Sequence, residues 1–130
     1  MQKQSPRLCL GILAAAAIAA ATVIPAYAHH GWGGNAEQES EMTGTVESPV
    51  SLAGPHATMK IRVNGQVWDI TMAPPARTTA AGLKEGIIPV GAMITVHGNR
   101  HRDAKKFEIK TSRVTWNGKV FDVYPNRPEH

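Results

Sequence analysis

Apolar and polar side chains alternate through most of the chain after residue 41, a period of two that predicts a domain built from strands. Met42, Gly44 and Val46 alternate with Thr43, Thr45 and Glu47, a half-buried strand that Pro49 is expected to stop. Residues 50–55 read as a loop closed by Gly54-Pro55. Ala57, Met59, Ile61 and Val63 then alternate with His56, Thr58, Lys60 and Arg62. Asn64-Gly65 supplies the two positive-φ positions of a type I′ turn, and Trp68, Ile70 and Met72 return on one face. Pro74-Pro75 ends that strand. The one credible helix covers residues 76–81, with Pro75 in its first turn and Gly82 just past its end.

A fourth strand sets Ala92, Ile94 and Val96 against Met93, Thr95 and His97. A basic loop, residues 98–105, leads to a fifth strand in which Phe107 and Ile109 hold odd positions but Val114 and Trp116 hold even ones. That slip of parity demands one extra residue, which places a β-bulge near Thr111-Ser112. Asn117-Gly118 turns the chain into a short last strand, residues 120–124. Three strands, a short helix, a strand and a long bulged strand form the element order of an OB-like Greek-key β-barrel with an added C-terminal hairpin. An open β-sandwich or meander shares the same order.

The first forty residues follow a different pattern. Lys3 and Arg7 precede an apolar run over residues 8–24, and Ala26-Tyr27-Ala28 is a small-residue cleavage signal. Residues 1–28 therefore read as a signal peptide cut after Ala28, which predicts a periplasmic or secreted protein. The run falls short of the roughly 20 apolar residues of a membrane span and has no basic flank behind it; an uncleaved anchor is the alternative. Removing 28 of the 130 residues leaves 102, enough for one domain. The single cysteine, Cys9, leaves with the signal, so disulfides and thiolate chemistry are excluded from the mature chain. Residues 29–40, rich in glycine and polar side chains, read as a flexible arm; 41–124 is the barrel domain and 125–130 a polar tail.

Charge changes the picture only locally. Without Lys3 and Arg7, twelve basic residues face ten acidic ones, a net +2. Yet Arg100, Arg102, Lys105, Lys106, Lys110 and Arg113 crowd one stretch against Asp103 and Glu108. In an exported protein this basic loop, residues 99–106, predicts an anionic envelope partner such as phospholipid or lipopolysaccharide head groups, and not nucleic acid. Arg100, Arg102, Lys105 and Lys106 are the expected contacts; a solvated hairpin is the plainer reading of the same charges.

Cleavage after Ala28 would also expose His29-His30. The new terminal amine and the Nδ1 of His29 can close a chelate ring, with His30 or His56 completing a nitrogen plane that suits Cu(II). Trp32 would shield that metal or meet a partner. His97 and His101 read as ordinary strand histidines. Met42, Met59 and Met72 fall on apolar faces and read as core, not as copper ligands, and Trp68 and Phe107 also read as core. Glu47, Asp69 and Glu108 lie on polar faces with no partner at readable spacing. No Ser/His/Asp order, glycine-rich phosphate loop or zinc-binding helix motif is present. These residues predict a non-enzymatic binding protein, with copper at the mature terminus as the sharpest reading. A metal-free envelope interaction module is the rival, and a redox enzyme using that copper a third option.

The chain resembles a family of small secreted bacterial proteins, domain of unknown function 6152. The resemblance is carried by Ala28-His29-His30-Gly31-Trp32, Thr43-Gly44-Thr45-Val46, Pro55-His56-Ala57, Trp68, Ala73-Pro74-Pro75, and Gly98 before Arg100-His101-Arg102-Asp103. Gly54 replaces an asparagine usual in that family, and Ala92 stands where an acidic residue is common. The resemblance implies export and a compact β domain, makes His29, His30 and His56 joint candidates, and brings no activity.

Overall fold

A computed structural model describes residues 33–126; the expected signal peptide, His29, His30, Trp32 and residues 127–130 lie outside the described residues. The described chain forms β1 (Asn35–Ser51), β2 (Thr58–Val63), β3 (Gln66–Thr71), the helix α1 (Pro75–Ala80), β4 (Met93–His101), β5 (Glu108–Trp116) and β6 (Lys119–Asp122). Among these residues no helix is long and apolar enough to cross a membrane.

The strands lie in the order β3-β2-β1-β4-β5-β6, and a parallel pairing of β3 with β5 closes the first five into a barrel. Closure decides for the OB-like barrel over the open sandwich or meander. It works because β1 is long enough to serve two neighbours. Its first part pairs with β4 and its last part with β2, and Thr45 is in register with both Met93 and Arg62. The β2 backbone comes so close at Gly44 that no side chain fits there: a Cβ would lie 2.5 Å from the Arg62 carbonyl oxygen. The added hairpin is β6, paired to β5 from Arg113 to Trp116.

Alternation places the core as expected. Met42, Met59 and Met72 are buried with Ile61, Ile70, Ile94, Val96, Ile109 and Val114. The β2–β3 hairpin turns on Asn64 and Gly65 at φ 48° and 81°, and Asn117 and Gly118 repeat this at 51° and 75°. In β5, His97 faces Arg113 and Gly98 faces Thr111, so Ser112 is the extra residue that the parity slip requires.

Several expectations need correction. The arm is not flexible throughout: strand begins at Asn35, so residues 35–40 belong to β1. Pro49 does not stop that strand, because bulges on either side of Ser48 excuse its missing donor. β4 continues through Gly98, Asn99 and Arg100 to His101, which shortens the basic loop to residues 102–107. Phe107 is 40% exposed rather than core, although its ring meets Trp68 edge-on at 5.3 Å. The acids do have partners, brought across strands: Glu47 pairs with Arg62, Asp69 with Lys60, and Glu108 accepts from Thr71 at 3.3 Å. These ion pairs are exposed, so their contribution to stability is small.

Candidate functional site

The expected interaction residues divide by role once β4 is extended. Arg100 is on the strand, and its guanidinium lies 4.7 Å over the Trp68 ring, a cation–π contact. Trp68 is nearly buried and Phe107 packs against it, so Arg100, Trp68 and Phe107 form one cluster at the rim where β3 meets β5. The Asp69 amide donates to the Phe107 carbonyl at 2.8 Å and holds that rim closed. Arg102 faces the arm. Its amide donates to the Gly34 carbonyl at 2.9 Å and its Nε to the Asn35 carbonyl at 2.8 Å. Lys105 and Lys106 are exposed on the turn, which Asp103 shapes by accepting the Lys105 amide on Oδ1 and the Lys106 amide on its carbonyl. Two of the four expected contacts therefore hold structure, and two are presented to solvent.

Asn99 completes the attachment of the arm. It is 1% exposed beneath the arm, and its Nδ2 donates to the carbonyls of Ala36 and Glu37 at 2.9 and 3.2 Å. Asn35 answers by donating Nδ2 to the Asn99 carbonyl at 2.9 Å. These side chains stand in for the ladder where the β1–β4 register shifts between Asn35 and Glu39. Farther along, Glu39 accepts from His97 at 2.8 Å. Reading by periodicity missed this clamp, because asparagines at a bulge carry no apolar period.

The histidines are not gathered as expected. His29 and His30 lie outside the described residues. His56, half-buried, precedes β2 and so follows the C-terminal end of β1, whereas the arm enters at the N-terminal end. The histidine beside the entering arm is His101, paired with Asn35, with its Nε2 facing Gly34. Its Nδ1 accepts the Asp103 amide at 3.0 Å, which places the ring proton on Nε2. Ligation through Nε2 would shift that proton to Nδ1 and break this bond. Among the described residues no three His, Cys, Asp or Glu side chains come together as a metal site.

Solved structures of similar shape share little sequence with this chain. A ZRD-deleted mutant of the tRNA agmatidine synthetase TiaS, in complex with agmatine, is similar over 72% of this chain and 28% of its own, with 12% identity and a TM-score of 0.52. Apo TiaS is matched over 61% of this chain and 18% of its own, with 12% identity and a TM-score of 0.48. Rim1, a mitochondrial single-stranded DNA binding protein of S. cerevisiae, is matched over 62% and 93%, with 9% identity and a TM-score of 0.47. The chain thus spans under a third of TiaS, and a likeness at such identity is one of fold. No curated protein matches the chain. A family model does, over residues 16–120, nearly the whole of the β domain. The chain belongs to that family, DUF6152, a family of unknown function.

Proposed function

We propose that this is an exported, non-enzymatic binding protein that takes an anionic envelope component at the β4–β5 rim of its barrel. The observation that carries the reading is the exposed Phe107 beside the Arg100–Trp68 stack, with Lys105 and Lys106 on the adjoining turn. In OB folds the loop between these two strands contacts ligands, and here it offers an aromatic surface with cations around it. A phosphate-bearing lipid head group suits that combination: the lysines meet the phosphate and Phe107 meets the apolar boundary.

Cosedimentation with phosphatidylcholine vesicles, with and without phosphatidylglycerol, tests this. A lysine near an anionic surface contributes about 1 kcal/mol, so Lys105→Ala with Lys106→Ala is expected to weaken binding roughly 30-fold. Arg100 and Arg102 are poorer probes, because they also hold Trp68 and the arm. Equal binding to neutral vesicles, or no loss in the double variant, rejects the reading.

A second reading, Cu(II) at the mature terminus, is supported by the pinned arm, which enters the barrel at a set place four residues after His30. Because the His101 Nδ1 is engaged, the chelate is local, made by the His29 amine and imidazole with His30. One residue added before His29 is expected to lower Cu(II) affinity about tenfold or more by altering the amine chelate. His101→Ala and His56→Ala are each expected to change it by less than about twofold, within ordinary surface effects. Isothermal titration of the correctly processed protein decides, and undiminished affinity after extension overturns the copper reading.

A further inference from the structure

A cleft of about 240 Å³ opens on the outer side of the barrel, lined by Glu39, His97, Ser112, Arg113, Asp122, Tyr124 and Pro125. The bulge builds it. Ser112, the extra residue of β5, donates its hydroxyl to the His97 carbonyl at 3.1 Å. Its own carbonyl accepts the amides of Val123 at 2.9 Å and Tyr124 at 3.4 Å. The chain leaving β6 is thereby drawn against the bulge, and Tyr124 and Pro125 form a wall of the cleft. Arg77 lies 5.5 Å over the Tyr124 ring and steadies that wall from α1.

The polar side chains form a row set by strand register, with His97 opposite Arg113 and Arg113 opposite Asp122. His97 Nε2 donates to Glu39 at 2.8 Å, and Arg113 Nε donates to Asp122 at 2.6 Å. The His97 Nδ1 lies 3.9 Å from a Glu41 oxygen, beyond hydrogen-bond reach. Each carboxylate uses one oxygen in these contacts and has further lone pairs to offer.

Groups of both signs line the cleft side by side, so an ion of either sign meets a like charge as well as an opposite one. An anion would meet Glu39 and Asp122, and a cation would meet Arg113. A hydroxyl group both donates and accepts, so it can bridge a carboxylate oxygen and a neighbouring N–H while leaving each acid–base pair in place. At about 240 Å³ the cleft is smaller than the roughly 300 Å³ at which drug-sized pockets begin. It matches one six-membered ring bearing several hydroxyls, with Pro125 offering an apolar surface to the ring's C–H face.

We propose that this cleft, framed by Glu39, His97, Arg113 and Asp122, binds one neutral sugar ring, either free or at the end of a glycan. The inference does not depend on the lipid surface at the β4–β5 rim. Lys105→Ala with Lys106→Ala is expected to leave sugar binding unchanged even if it has no effect on vesicles.

Amide chemical-shift titration of the full mature chain provides the test. The probes are the methyl glycosides of glucose, galactose, mannose and N-acetylglucosamine, the corresponding β-linked disaccharides, and acetate, phosphate and methylammonium at matched ionic strength. Expected are saturable shifts of the Gly98, Ser112, Arg113, Val123 and Tyr124 amides with at least one sugar, with Kd on the order of 1 mM. Tighter binding of a disaccharide than of its monosaccharide assigns a glycan end; equal binding assigns a free sugar. Asp122→Asn and Glu39→Gln keep size and remove the charge of one pair, and each folded variant is expected to lose at least about fivefold in affinity. Lack of saturable shifts with every sugar up to about 50 mM overturns the proposal. So do stronger shifts of these amides with any of the three ions, or a wild-type response in both variants.

Discussion

Gly98→Ala is expected to destabilise the protein by about 3 kcal/mol or more, over half the stability of a domain at the low end of the usual range of roughly 5–15 kcal/mol. A Cβ at residue 98 would lie 2.0 Å from the Lys110 carbonyl oxygen and 2.8 Å from both the Lys110 carbonyl carbon and the Thr111 Cα. All three are backbone atoms of β5, which cannot turn aside as a side chain can. β5 cannot easily retreat either, since Lys110 is in register with Asn99 on β4 and with Thr71 on β3. That second pairing belongs to the short parallel ladder that closes the barrel, so yielding at Gly98 opens the barrel itself. Gly44→Ala, 2.5 Å from the Arg62 carbonyl oxygen, is expected to follow with about 2 kcal/mol. Gly33→Ala meets nothing within 4 Å and serves as the neutral control. Urea unfolding followed by tryptophan fluorescence measures all three. A Gly98→Ala midpoint equal to that of Gly33→Ala would show that the β4–β5 approach is looser than described.

Gly98 also shows where sequence reading succeeds and where it stops. Alternation locates strands because burial of one face repeats every second residue, and the two Asn-Gly turns carry their own stereochemistry. The parity change between Ile109 and Val114 calls for a bulge near Thr111-Ser112 for the same reason, that one face must stay inside, and the strand register makes Ser112 the extra residue. Gly98 and Asn99, by contrast, look like turn residues. Here they continue β4, one to admit the backbone of β5 and the other to bind the arm. Residues 35–40 lack alternation because the β1–β4 register is irregular there and side chains carry part of the pairing. Leu83 and Ile88 are fully buried between α1 and β4, in a stretch without a readable apolar period.

The candidate sites were less legible than the fold, because their geometry depends on distant pairs. His97 meets Glu39 across 58 residues and Arg102 meets Asn35 across 67. Spacing along the chain gives no sign of such contacts, so His97 and His101 read as ordinary while His56 drew attention. The basic loop was visible as composition. What composition hides is that Arg100 and Arg102 are committed to Trp68 and the arm, leaving Lys105 and Lys106 at the turn.

Asn99→Ala is expected to cost about 2–3 kcal/mol, most of it by releasing the arm. The substitution removes two donations from a side chain that is 1% exposed, to Ala36 and Glu37, each worth about 1 kcal/mol, and leaves a polar cavity beneath the strand. Asn35→Ala removes the single reciprocal bond and is expected to cost about 1 kcal/mol. The two share one clamp, so the double variant should lose less than the sum. Hydrogen exchange separates local from global loss: amides of residues 35–40 should exchange nearly freely in Asn99→Ala, while the β2–β3 hairpin keeps its protection. Asn99→Asp decides the cause. Aspartate has almost the same size and no donor, and it would turn a carboxylate toward the two carbonyls that the amide now satisfies. It is therefore expected to be at least as destabilising as alanine, with the arm equally exposed to exchange. An Asn99→Asp variant as stable as the native protein would mean that packing, and not donation to Ala36 and Glu37, holds β1 against β4.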